Sequence, residues 1–348
     1  MSYEKNKFLI KSIFLIGLLY FASQMITWQD GRLAFRDARL NEITQSLSSQ
    51  FSLSQDTSAR PAAETPAQTY LYNESRQVIE ETFGEAINES ANRYGLNWTS
   101  YHDDFRNFMM VMYDEHDIAQ GICTNQDTIL IDDTLGIGSS KANVRNQMGT
   151  RQESLQRGSR RYRIDSDADY DLFLQDDQLI TFFYDVHAED TVTAIQIINR
   201  SLETRHANDF RQNQAAILSG LRTQLFELTN ATRVKFGLSP LGFSEATSET
   251  AVKHSQDMAE HRYFDHIGLD GSTPFDRMQE DGISFTAAGE NLAFGQASSI
   301  YAHQGLMNSE GHRATILNDE YQFLGIGIAI DTSEQPYYTT LYHRGSAS

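Results

Sequence analysis

Two short echoes constrain the fold of this chain more than any other feature. "YDEH" (Tyr113, Asp114, His116) follows the apolar stretch "FMMVM" and precedes "IAQGIC". "YDVH" (Tyr184, Asp185, His187) follows "LITFF" and precedes "TAIQII". A polar turn between two β-rich apolar runs reads as a hairpin. Ahead of each echo, an apolar helical face ends at a glycine: Ile79 and Phe83 before Gly84, Val144 and Met148 before Gly149. Residues 74–208 are therefore expected to be an α+β domain made of two helix-plus-hairpin repeats. Turn positions beside acids make His116 and His187 solvated loop residues rather than ligands.

The flanks of this unit read differently. Lys5, Lys7 and Lys11 accompany "SIFLIGLLYFASQMITW", an apolar run ending at Trp28. Extended to include Phe8 to Ile10, it is long enough for one membrane span. With no clean small-residue cleavage site, residues 1–29 read as an uncleaved signal-anchor, the globular part lying outside the cytoplasm. Secretion after cleavage is the alternative. Residues 30–73, with "QSLSSQFSLSQDTSARPAAETPAQT", hold too few large apolar residues to offset backbone ordering and read as a linker. Lys+Arg 28 against Asp+Glu 47 gives a net charge of −19, which argues against a nucleic-acid partner. The single cysteine, Cys123, excludes an intramolecular disulfide and a thiolate zinc cage, and its apolar setting reads as core.

Past residue 210 the periodicity becomes helical. Leu218, Leu221, Leu225 and Leu228 form one apolar stripe, ended by Gly237 and followed by Ser244 as the next N-cap. Ala251, Ser255 and Met258 share a face of that next helix, and His254 and His261 are read as surface residues. "STPFDRMQEDG" carries a start signal, with Thr273 as N-cap, Pro274 at N1 and Asp276 at N3. "FLGIGIAI" and "PYYTTLYH" read as strands. Residues 210–348 are thus a second, layered α+β domain, and each domain is expected to fold alone.

Six of the ten histidines lie after residue 250. His266 follows Tyr263-Phe264 at a helix-to-loop change. Glu290 sits in "AAGENLAFG". In "MNSEGHR", Gly311 between Glu310 and His312 reads as a bend. There is no HExxH helix and no G-x-S-x-G elbow.

The order "ELTNATRVKFGLSPLGFSEATSETAVKHSQDMAEHRYFDH", then "AGENLAFG", then "LMNSEGHRATILNDEYQFLGIGIA" resembles the CAP superfamily of cysteine-rich secretory, venom-antigen and pathogenesis-related proteins. The chain is similar to its bacterial membrane-anchored form, with a CAP-associated domain ahead of the CAP domain. The resemblance implies an α-β-α sandwich at residues 210–348 and a cleft tetrad of His266, Glu290, Glu310 and His312. Leu306 stands where bacterial relatives usually have Trp, and Tyr338-Thr339-Thr340 where they usually have Trp-Thr-Gln. His266, His312 and Glu290 are a reasonable set for a divalent metal such as zinc. Two functions follow: a binding scaffold for an envelope peptide, glycan or lipid, or a metal-assisted hydrolase acting on cell wall or peptide. The scaffold is the favoured reading.

Overall fold

The computed structural model describes residues 26–29, 32–35, 70–157, 160–205 and 213–345. The chain divides into two compact units, residues 1–63 and residues 64–348. In the first, β1 (Ile26–Gln29) pairs antiparallel with β2 (Arg32–Phe35). The anchor expected over residues 1–29 lies mostly outside the described residues. Its last four residues form a strand, so the expected helix does not extend to Trp28. Among the described residues no helix is long and apolar enough to cross a membrane.

The second unit opens on the repeated domain. Helix α1 (Arg76–Phe83) precedes β3 (Asn88–Ala91), β4 (Asn97–Asp103), β5 (Arg106–Tyr113) and β6 (Ala119–Thr124). Helix α2 (Lys141–Met148) precedes a small hairpin, β7 (Ser154–Arg157) and β8 (Arg160–Arg163). Strands β9 (Tyr170–Gln175), β10 (Gln178–Asp185) and β11 (Thr191–Asn199) follow, then α3 (Arg200–Arg205). The capping is duplicated too. Ser75 and Ser140 accept bonds from Val78 and Asn143, while Gly84 (φ 84°) and Gly149 (φ 74°) take the left-handed turn that only glycine adopts without strain.

The seven main strands form one antiparallel sheet in the order β3-β4-β5-β6-β11-β10-β9. The first repeat gives a four-stranded meander and the second a three-stranded one, and the two meet where Ile122 of β6 opposes Ile197 of β11. Both faces are buried. Met109 and Val111 pack with Ile79 and Val144 beneath the helices; Phe108, Met110, Met112 and Cys123 point to the opposite side. That double burial explains why "FMMVM" shows no alternation. The expected linker boundary at residue 73 requires correction. Leu71 (2% exposed) and Tyr72 belong to this core, and Asn73 donates its backbone N–H to Ala119, so the domain starts before residue 74.

The remaining elements are α4 (Gln214–Lys235), β12 (Gly242–Phe243), α5 (Glu245–His261), α6 (Pro274–Glu280) and β13 (Phe285–Phe294). They continue with α7 (Ser299–Asn308), α8 (Glu310–Ile316), β14 (Phe323–Ile330) and β15 (Pro336–Gly345). The sheet order is β12-β14-β15-β13, with β12 and β14 parallel and the other pairs antiparallel. Strand β14 shows why the layers form. Leu324, Ile326 and Ile328 pack with α4, α7 and α8, including Leu221, Leu225, Leu306 and Ile316. Gly325 and Gly327 point the other way, where an added Cβ would lie 2.5 Å from the backbone of Thr247 and 2.0 Å from that of Ala251. The glycines let α5 rest directly on the strand. Leu306, Tyr338 and Thr340, which depart from the family pattern, are all buried.

Helix α4 is buried on two sides. One side faces the second sheet. The other presents Leu228 and Ala231 to Trp98, Phe108, Met110 and Met112 of the first domain, with Ile300 of α7 beside them. Gln224 donates to Ser90 and the Ala91 carbonyl, Asn125 donates to the Leu228 carbonyl and Thr232, and Gln126 donates to the Ala231 carbonyl. At Gly220 the backbones meet, since a Cβ there would sit 1.9 Å from the Ala91 oxygen. A continuous core crossed by side-chain hydrogen bonds is unlike a transient domain contact. The expectation that each domain folds alone is therefore replaced by one of mutual dependence. Gly220→Val forces the backbones apart and is expected to cost about 3 kcal/mol or more. Calorimetry checks this: the variant should melt lower in a single transition carrying both domains.

Glu227 adds a pH dependence to that interface. It is 5% exposed, receives bonds from Ser100 (3.0 Å) and Asn88 (3.4 Å), and has no cation paired to it among the described residues. Burial pushes its carboxyl up to about 7, against the modest opposing effect of those two donors. The neutral acid is the form the fold favours. Its stability contribution is intact below the unfolded carboxyl value, near 4.5, and is lost as pH rises through about 7. Wild type should lose up to about 3 kcal/mol between pH 4.5 and 8 through this group. Glu227→Gln should flatten that part of the profile, as read from denaturant melts across pH.

Candidate functional site

The cleft residues come from three elements and a loop. His266 lies between α5 and α6. His254, on α5, bonds through Nε2 to the Asp265 carbonyl at 3.0 Å, holding that loop. His254 is 2% exposed, which corrects its expected surface position; its ring packs at an angle against Tyr263. Burial first, and Arg277 second, hold its imidazole below the ordinary value, so near neutral pH Nε2–H donates to that carbonyl.

Glu290 is the centre of the site. Its side chain, 2% exposed on β13, accepts from Nδ1 of His266 at 2.7 Å on one oxygen and from Nη2 of Arg277 at 2.8 Å on the other. Arg277 comes from α6, whose start is fixed by the capping box of Thr273 and Asp276 with Pro274 at N1. Its Nη1 also donates to the carbonyls of His266 and Ser272. One guanidinium thus ties the His266 loop, α6 and β13 together. Leaving either charge of this buried pair alone would be costly.

His312 sits on α8. Burial, and secondarily the nearby His266, hold its imidazole below the ordinary value, so it is neutral near pH 7. Asn291, next to Glu290, donates to the His312 carbonyl at 3.0 Å. The expected bend at Gly311 is not found: Gly311 is helical, and an added Cβ there would meet nothing within 4 Å. The glycine that matters is Gly289. A Cβ there would sit 2.5 Å from the Tyr321 hydroxyl and 3.2 Å from Thr315, so the strand passes close beneath α8 and its following loop. Glu310 is exposed in the first turn of α8, where its charge suits the helix N-terminus. It makes no hydrogen bond or ion pair with the other three.

The repeated domain reaches this cleft through α8. Asp185, of the second echo, accepts from Arg313 in a bidentate pair at 2.9 and 3.2 Å. Asn308 donates to the Tyr184 carbonyl, and its own side-chain oxygen accepts from Val186 N–H. Buried Arg233 of α4 holds the other end of α8 by donating to the Ile316 and Asn318 carbonyls. The first echo has no such role: Asp114 caps its own turn at His116 and Ile118.

The arrangement does not fit a metal held by His266, His312 and Glu290. Both Glu290 oxygens are already engaged, and Arg277 places a positive charge where a cation would need a free carboxylate. Among the described residues no group of three His, Cys, Asp or Glu side chains is placed to hold one ion. What remains is a carboxylate-oriented imidazole, His266, whose Nε2 has no hydrogen-bond partner among the described residues, near the neutral imidazole of His312. Arg277 escaped sequence reasoning because a lone Arg on a short capped helix reads as surface. The burial of His254 was detectable, because position 254 falls on the Ala251–Met258 face.

His312 provides the direct test of this geometry. Its NMR titration midpoint should lie below the ordinary imidazole value, and His266→Gln should raise it by removing the electrostatic effect of the neighbouring imidazole. Arg277→Met should destabilise the protein by about 3 kcal/mol or more, because it leaves Glu290 buried without its cation.

Comparison with known proteins agrees with the two-part architecture. Residues 72–208 match the CAP-associated N-terminal family, and residues 226–342 match the cysteine-rich secretory protein family, CAP. The chain is 40% identical over 116 residues to the uncharacterized membrane protein YlbC of Bacillus subtilis, covering 33% of this chain and 32% of that protein. It is 44% identical over 110 residues to B. subtilis YkwD, covering 32% of this chain and 43% of that one. The aligned stretches thus span less than half of either relative. An extracellular SCP-domain protein from Bacillus anthracis shares the fold at TM-score 0.67 and 22% identity, over 84% of this chain and 100% of that one. A cysteine-rich secretory protein from Staphylococcus aureus does so at TM-score 0.57 and 16% identity, over 80% of this chain and 96% of that one. Residues 226–342 of this chain belong to the CAP family, and residues 72–208 are the CAP-associated N-terminal domain that precedes it.

Proposed function

We propose that this chain is an extracytoplasmic, membrane-associated CAP protein whose cleft binds an envelope ligand and does not hydrolyse it. The observation that carries this reading is the double engagement of Glu290 by His266 and Arg277. A carboxylate held on both oxygens is a fixed part of a binding surface. It is poorly suited to act as a metal ligand or as a free base. His266 Nε2 and neutral His312 can still donate or accept single hydrogen bonds from a ligand.

The rim around His266 supports the same reading. Phe264 (49% exposed) lies 5.9 Å from Phe294, which lies 4.4 Å from Tyr337, and Ile267 and Leu269 are also exposed. An aromatic row beside polar cleft groups suits a ligand with both an apolar part and hydrogen-bonding groups, whether peptide, glycan or lipid. The relative named a membrane protein, the extracellular fold relative and the apolar run before Trp28 support placement at the outer membrane surface.

One specific feature favours a second reading, a hydrolase. Glu290 fixes the His266 tautomer, leaving Nε2 able to take a proton from water. Co-sedimentation with isolated envelope and a turnover assay on the same material separate the two. The binding account expects wild type to co-sediment, the His266→Ala/His312→Ala double variant to lose at least tenfold in affinity, and no turnover with or without added zinc. His266-dependent turnover would establish the hydrolase instead. In cells, the chain should remain with membranes after a high-salt wash, and added protease should release a fragment containing residues 70–345.

A further inference from the structure

We propose that a second ligand site, separate from the histidine cleft, lies between the two domains and takes a short peptide ending in a free carboxylate. A cavity of about 350 Å³ opens there. Its walls are the β7–β8 hairpin and β9 on one side, and α7 with the turns flanking β13 and β15 on the other. None of His266, Glu290, Glu310 or His312 lines it. Junctions of this kind and size are where small ligands usually bind.

Gln304 of α7 shows that the cavity is more than a packing gap. It is 4% exposed, lines the space, and its side chain makes no hydrogen bond to any described residue. An amide that meets the space with no protein partner leaves its donor and its acceptor available to a ligand. Gln296, on the same wall, has a side-chain oxygen that is also buried without a donor. A side-chain amide carries a donor and an acceptor together, which matches the peptide group.

Charge and ring placement narrow the ligand further. Arg157 is held by Glu203, Asp169 accepts from Asn308, and Glu334 is not without a partner. Arg163 is the lining cation with no ion-pair partner among the described residues, and a guanidinium is the natural receptor for a carboxylate. Tyr170 and Tyr301, edge to face at 5.2 Å, give an aromatic wall for apolar side chains.

Calorimetric titration of the full chain in detergent, using acetyl-Ala-Leu-Ala with a free C-terminal carboxylate and the same peptide as its amide, tests this. The acid should bind with a sub-millimolar Kd and the amide at least tenfold more weakly. Arg163→Met, at an exposed position, and Gln304→Glu should each weaken the acid at least tenfold, while His266→Ala leaves it unchanged. Absence of saturable binding by the acid, equal binding of acid and amide, or loss of binding in His266→Ala with retention in Arg163→Met would each overturn the proposal.

Discussion

Everything in the second unit depends on the burial of one helix between two sheets. α4 packs its leucines on the CAP sheet and turns its other side to the double-faced sheet of the repeats. Its approach is so close that Gly220 touches the Ala91 backbone. Polar residues on that side, Gln224, Glu227 and Thr232, are buried and find partners on both domains or on α7. A helix held this way cannot leave one sheet without exposing the other, so the domain pair is one structural body.

That dependence extends to the cleft. Arg233 of α4 holds the C-terminal end of α8, and Asp185 of the second echo holds Arg313 in the middle of it. His312 is therefore positioned by both domains, whereas His266 and Glu290 are fixed within the CAP domain by Arg277 and His254. The CAP-associated domain thus acts as a brace for one half of the cleft. It also forms one wall of the inter-domain cavity.

The sequence made the local elements plain and left the packing between them hidden. The paired echoes, the Ser and Gly caps and the Thr273 capping box are short-range signals, and each lies where local physics puts it. The glycines of "FLGIGIAI" were visible, yet nothing local states that a helix would rest on them. α4 read as a one-sided amphipathic helix because Glu227, Thr232 and Arg233 look like solvent residues until a second domain covers them. Leu71 and Tyr72 were lost in a polar tract for the same reason. At the site, family-matched positions brought His266, Glu290 and His312 together, but Arg277, which fixes the state of Glu290, carried no sequence signal. Gly311 was legible as a glycine and misleading as a bend, since a glycine inside a helix looks the same in sequence as one that turns the chain.

Native-state hydrogen exchange of the full chain is the most direct test of the account that α4 fuses the two domains. Slowly exchanging amides of β5 and β10 in the repeat sheet and of β14 and β15 in the CAP sheet should share one opening free energy, equal to that of global unfolding. α4 should open with them. If the repeat sheet exchanges through an opening that leaves β14, β15 and α4 protected, the domains are independent and the central claim fails.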